Sequence, residues 1–201
     1  MSKRRVGLTM IILGLLALAA GLGLGAYNLW DNYRAGSQAG AVMDAISHHQ
    51  EVAAGQSEAS GPILDPNRDM PVLEVGGKRY IGTISIPALD INLPVQESWS
   101  LALLRTSPCR YKGTVYLRNM IICAHNYVTH FGRLKNILPG DEVIFTDVEG
   151  NAYYYTAATK ETLDGSAGEE MESGEWDLTL FTCTLGGKTR VTVRCDQLEN
   201  R

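Results

Sequence analysis

From Val6 to Trp30 the chain carries no charged side chain; the stretch reads VGLTMIILGLLALAAGLGLGAYNLW. An α-helix rises about 1.5 Å per residue, so this run covers a hydrocarbon core of roughly 30 Å with some tilt. That separates the sequence into a membrane span and a remainder that must fold on its own. Lys3, Arg4 and Arg5 precede the run and Asp31 follows it. Cations on the first side predict the N-terminus in the cytoplasm and the rest of the chain outside, with Tyr27 and Trp30 at the far interface. Ala17-Leu18-Ala19 has the small-residue pattern of a signal-peptide cleavage site. The apolar run continues well past it, longer than a usual signal core, which favours an uncleaved anchor. No second apolar span follows, so a single-pass membrane protein is expected.

The chain has 201 residues, 45% of them hydrophobic. That suits one ordinary domain plus an appendage. A net charge of -4 lacks the basic balance of a nucleic-acid binder. Four cysteines are too few for a disulfide-dense scaffold. Residues 1–30 form the cytoplasmic tip and anchor in this reading, and 31–69 an extracytoplasmic stalk rich in Ala, Gly, Ser, Gln and Glu. Val42, Ala45 and Ile46 have helical spacing and predict a helix over about Ala41 to Ala54. His48 and His49 lie on it and are read as solvated. Gly61-Pro62 and Asp65-Pro66-Asn67 mark irregular chain.

From about Met70 the texture changes, and 70–201 reads as one domain. Short runs rich in Val, Ile, Thr and Tyr alternate with turn signals: PVLEV, GGKRYIGTISI, IPALDINLPV, GTVYL, MIICAH, DEVIFTD, AYYYTAATKETL, WDLTLFTCT and TRVTVRC. Asp147 to Asn151 reads as a hairpin turn. Roughly eight short strands in such a span predict an all-β barrel or sandwich. Two segments look helical, near Ser98 to Arg105 and near His130 to Ile137.

Near the C-terminus TLFTCT ends a strand-like run with Cys183. Its residue type leaves several roles open: apolar filler, half a disulfide, metal ligand or nucleophile. A cysteine nucleophile needs a base or a thiolate, a donor for the developing oxyanion, and exposure to substrate. Gly186-Gly187 permits a tight turn, after which TRVTVR returns as a second strand. A short turn makes the two strands antiparallel neighbours and brings Arg190 near Cys183. Arg190, Thr192 and Arg194 share one face by the period of two, with Arg194 farther from the turn. His125 ends the strand-like MIICAH, and His130 lies five residues on as an alternative base. Nucleophile and base are commonly remote in sequence and adjacent in space.

These residues together resemble the sortase family, cysteine transpeptidases of the Gram-positive cell surface. Thr179, Leu180, Thr182 and Cys183 match the family's TLxTC motif, Arg190 opens a strand as the family's arginine does, and Ala124-His125 matches its histidine position. Ile81 to Pro87 with Leu93-Pro94-Val95 is similar to its opening strands, and Phe131 to Leu134 and Pro139-Gly140-Asp141 fall where sortases carry such residues. The resemblance covers about residues 75 to 196. It implies a closed eight-stranded barrel with short helices. It also implies that Cys183 attacks a threonine carbonyl in an LPxTG-like sorting signal, forming a thioacyl-enzyme that an amine of cell-wall precursor or another surface protein resolves. His125 would shuttle the proton, Arg190 would bind substrate and oxyanion, and Thr182 would line the groove. Asp164 to Glu175 would be a compact specificity loop before the catalytic strand.

Other readings stand beside this one. Cys123, His125 and His130 could bind a metal, although their spacing fits no common zinc pattern. Cys109 and Cys123 could form a disulfide outside the cytoplasm. Glu169, Glu170, Glu172 and Glu175 could hold calcium with Asp141 or Asp147; a solvated acidic loop is preferred, so no cofactor is expected. Neither the sorting motif nor the acceptor is legible.

Overall fold

The computed structural model describes residues 3–54 and 68–198. The predicted irregular chain at Gly61-Pro62 and Asp65-Pro66-Asn67 lies outside the described residues. The chain divides into two compact units, Met1–Arg34 and Ala35–Arg201.

Helix α1 runs Lys3–Ala54. In the first unit it is apolar all round, with Leu8, Leu13, Leu16, Leu22 and Leu29 exposed. A helix without a polar face is built for an apolar medium, and this one is long and apolar enough to cross a membrane. The Tyr27 and Trp30 rings lie 6.0 Å apart where the apolar run ends. Arg34 closes it with an ion pair to Asp31 at 2.9 Å.

In the second unit the structure departs from the expected stalk. Ala35, Ala39 and Ile46 of the helix are buried, and Ala39 belongs to the hydrophobic core. Gln50 donates from Nε2 to the Asp147 carbonyl at 2.7 Å. The helix therefore starts before Ala41, and its apolar stripe covers barrel rather than facing water. A composition of small residues hid this, because alanines allow close packing without looking like a core.

Nine strands form one sheet among the described residues. They are β1 (Leu73–Val75), β2 (Lys78–Ile86), β3 (Ile91–Gln96), β4 (Cys109–Lys112), β5 (Met120–Ala124), β6 (Glu142–Asp147), β7 (Ala152–Asp164), β8 (Leu178–Cys183) and β9 (Thr189–Gln197). Their order is β1-β2-β3-β4-β5-β8-β9-β7-β6, and β6 returns to pair with β2. Eight strands thus close a barrel, as expected, and β1 is added as a hairpin arm on β2. Closure removes the open edges that a sheet of this size would otherwise expose. Inward residues from every wall form the core, including Ile84, Val95, Ile122, Phe145, Tyr155, Leu180 and Val193.

One expected strand is absent and another stands in its place. GTVYL is turn, and the strand in this region is the four residues before it, β4. Gly113 ends β4 at φ +72, where a Cβ would lie 2.1 Å from the Asn119 carbonyl oxygen. The side chains of Thr114 and Asn119 then accept from Leu117 N and Thr114 N, each at 3.1 Å. Local side-chain bonds of this kind compete with a ladder and win here. The hairpin turn is where it was expected. The Asp147 carboxylate accepts from Glu149 N and Asn151 N, and Gly150 takes φ +90.

The two predicted helices are shorter than read. Helix α2 is Leu101–Leu104, its N-cap Ser100 accepting from Leu103 N. The segment Phe131–Asn136 is 3-10. A third helix, α3 (Gly168–Glu172), lies in the acidic segment before β8.

Candidate active site

β5 and β8 run parallel, with Ala124 opposite Thr182. One residue further along each strand come His125 and Cys183. Neighbouring strands lie about 4.8 Å apart, and residues in parallel register point to the same side. β8 and β9 are antiparallel, with Cys183 directly opposite Arg190. The register therefore brings the three residues singled out in the sequence to one end of the barrel, Cys183 and Arg190 as a cross-strand pair and His125 just past the end of β5. The turn Thr184 to Thr189 that makes the second pairing is tight: Gly187 N donates to the Thr184 carbonyl at 2.9 Å. Gly186 and Gly187 take φ +84 and +71 there, which other residues rarely adopt.

All four cysteines are free. Cys109, Cys123 and Cys195 are buried; burial pushes the Cys109 thiol up to about 12 and raises the other two as well. They are held as thiols. Cys183 alone is half-exposed.

The His125 imidazole has two neighbours on its own loop. Nδ1 lies 2.9 Å from the Asn126 carboxamide oxygen. An amide oxygen only accepts, so Nδ1 is the donor in this contact, and Nε2 takes no part in it. Tyr127 stacks flat on the ring, with centroids 4.1 Å apart and planes 4° apart. The loop then folds back: His130 N and Gly132 N both donate to the Tyr127 carbonyl at 2.9 Å. Gly132 admits no side chain, since a Cβ would lie 2.6 Å from Asn126 O.

His130, the alternative base, is fully buried and neither ring nitrogen has a partner. Burial, then the nearby His125, lowers its pKa to about 4. It is neutral and inaccessible, packed edge-on against Tyr127.

Arg190 is half-buried and donates from Nη1 to the carbonyls of Gly187 at 2.8 Å and Thr189 at 3.2 Å. These bonds hold its stem against the turn and spend one of its nitrogens. Cys183 and Arg190 line a groove of about 240 Å³ whose walls include Trp99, Leu101, Leu104, Tyr111, Phe181, Met171, Gly165, Ala167 and Gly168. Trp99, Tyr111 and Phe181 form an aromatic chain with successive centroids 5.5 Å apart. A larger hollow of about 540 Å³ shares Trp99 and Tyr111 but contains neither Cys183 nor Arg190. The smaller groove is therefore the one that holds the candidate nucleophile and cation. His125 flanks that groove at the strand end rather than lining it.

Thr182 does not line it. The residue is buried, on the opposite face of β8 from Cys183, and its hydroxyl donates to the Ala124 carbonyl at 2.9 Å. The period of two requires this, since adjacent residues of a strand face opposite sides. The same rule puts Phe181 on the groove side with Cys183, a residue that strand periodicity could have identified. Tyr127 had no such signal, because loop geometry brings it onto His125.

Among the described residues no group of three or more His, Cys, Asp or Glu lies close enough to hold a metal ion. Glu172 is paired with Lys112, and Asp141 accepts from Leu138 N.

A family model described as Sortase domain matches residues 84–198. A search of curated proteins found no match. Among solved structures, the chain is similar to the lid mutant of sortase A from Corynebacterium diphtheriae, with 21% identity and a TM-score of 0.54 over 80% of this chain and 96% of that one. It is similar to sortase C1 of Streptococcus agalactiae, solved with MTSET, with 20% identity and a TM-score of 0.54 over 82% and 90%. A third is the Clostridium perfringens Sortase D5 transpeptidase, with 19% identity and a TM-score of 0.51 over 59% and 79%. At these identities the structural likeness establishes the barrel fold.

Proposed function

The chain belongs to the sortase family of cysteine transpeptidases, and from that premise we propose that Cys183, His125 and Arg190 carry out the transfer on a C-terminal sorting signal of the LPxTG type. His125 Nε2 takes the thiol proton as Cys183 Sγ attacks the threonine carbonyl, and the oxyanion that develops is met by the Arg190 guanidinium. The C–N bond breaks as His125 Nε2 delivers a proton to the leaving amine. A thioester on Cys183 remains. An incoming amine, of cell-wall precursor or another surface protein, loses its proton to His125 and takes the acyl group. The aromatic groove receives the apolar part of the signal. The span in the first unit anchors the enzyme, with the barrel outside the cytoplasm, where both tethered substrates are found.

One observation supports this reading above the others: Cys183 lies opposite Arg190, and the parallel Ala124–Thr182 pair immediately precedes His125 and Cys183. The test is intact mass spectrometry of the enzyme mixed with a panel of sorting peptides. An adduct equal to the acyl part, absent in Cys183→Ala and released by an added primary amine, is expected. A wild-type enzyme that forms no adduct with any peptide of the panel overturns the assignment.

A further inference from the structure

Arg194 lies on the same face of β9 as Arg190, two register steps away, opposite Thr179. Its surroundings are quite different. It is 3% exposed and surrounded by acceptors. Nε donates to the Glu161 carboxylate at 2.8 Å, and Nη1 donates to the Met171 carbonyl at 2.7 Å and to Thr179 Oγ1 at 3.2 Å. Nη2 donates to the Glu170 carbonyl at 2.7 Å. Two of these bonds go to successive carbonyls of α3 near its C-terminal end, and the Glu170 carbonyl also accepts from Ser173 N and Oγ. The guanidinium is a rigid planar fork, and only that shape reaches both at once.

The helix so held forms part of the groove. Gly168 and Met171 of α3 line it together with Cys183 and Arg190. Met171 is buried, and its sulfur accepts from Thr192 Oγ1 at 3.7 Å, from the residue of β9 that lies between the two arginines. On the other side Lys112 of β4 pairs with Glu172. No residue of α3 belongs to the barrel sheet, so these side-chain bonds set its position.

We propose that Arg194 is a positioning residue that determines peptide specificity: from inside the protein it fixes the α3 wall of the groove against which the bound peptide is read. It touches neither the peptide nor the reacting atoms. Its effect is therefore on binding and discrimination, whereas Arg190 acts on the chemical step. The inference rests on the transpeptidase reading for its substrate, but not for the loop it holds.

The experiment compares wild type, Arg194→Met and Arg194→Lys. Arg194→Lys keeps the buried charge beside Glu161 while losing the fork, and it serves if Arg194→Met does not fold. Two readouts are taken. Amide hydrogen exchange over residues 167–173 should speed up in the variants while β5 and β8 stay protected. With a fluorogenic LPxTG-type peptide, KM should rise about tenfold with kcat nearly unchanged, since a wall displaced by an ångström costs binding geometry. The preference for that peptide over one substituted at its leucine should shrink in parallel. A folded variant with unchanged exchange over 167–173, or with unchanged KM and peptide preference, overturns the proposal. If wild type turns over no peptide, the transpeptidase reading fails, and the exchange data alone still decide whether Arg194 holds the loop.

Discussion

The β8–β9 ribbon has two ends built from similar residues. At one end Cys183 faces Arg190, next to a glycine turn, with the cysteine and the arginine both half-exposed. At the other, Thr179 faces Arg194, and both are buried. Each arginine binds backbone carbonyls. Arg190 binds those of its own turn through one nitrogen, whereas Arg194 uses all three nitrogens on protein acceptors. A guanidinium with donors to spare can meet an anion that appears during a reaction; one fully engaged can only hold what it already holds. The difference lies in burial and saturation, not in residue type.

Substitutions at the open end should therefore cost activity, and those in the closed interior should cost stability. Cys183→Ala should remove acyl-enzyme formation altogether, with a melting temperature close to wild type; residual adduct at another cysteine would break the comparison. Arg190→Ala should lower kcat by roughly 10² to 10³, the size of a lost oxyanion donor. Steady-state kinetics beside Arg194→Ala would sharpen it: equal loss of kcat at the two positions would erase the distinction between the ends.

His130 tests the interior. Its folded pKa is about 4, lowered by burial and then by His125, against about 6.5 in an unfolded chain. The unfolded state thus binds the extra proton. Stability is complete above about pH 6.5 and is lost as pH falls towards 4. Between pH 7 and pH 5 this amounts to about 2 kcal/mol. His130→Leu should flatten that part of the pH dependence in denaturant titrations, because no ring nitrogen there has a partner to lose. An unchanged slope would show that the ring is not the group responsible. The smallest effect belongs to Thr182→Val, which deletes one hydrogen bond to Ala124. About 1 kcal/mol of unfolding free energy should go, with kcat/KM within a few-fold of wild type. A loss of activity as large as that of Arg190→Ala would return Thr182 to the groove.

Much of this was legible beforehand for a definite reason. Strand periodicity and a short turn are local, and they suffice to put Arg190 opposite Cys183 and all three of Arg190, Thr192 and Arg194 on one face. The same periodicity, applied one residue further, separates Thr182 from Cys183, so the expected groove role was at odds with the pattern that located the nucleophile. The misplaced strand GTVYL shows the limit of composition. Val115 and Tyr116 are buried, as a strand residue would be, but Asn119 and Thr114 satisfy the backbone locally. Tyr127 on His125 and the α3 wall depend on loop closure, which no local pattern encodes.

By itself the sequence determined the apolar span, the all-β texture of the domain and the candidates for nucleophile, base and cation, because these follow from residue chemistry and from periods of 3.6 and 2. Only the tertiary structure decided which histidine is buried, which arginine has donors to spare, and that Ala35, Ala39 and Ile46 of the helix are buried rather than facing water. Those outcomes turn on burial and on which hydrogen-bond donors are already spent, and both are properties of packed neighbours that lie far apart along the chain.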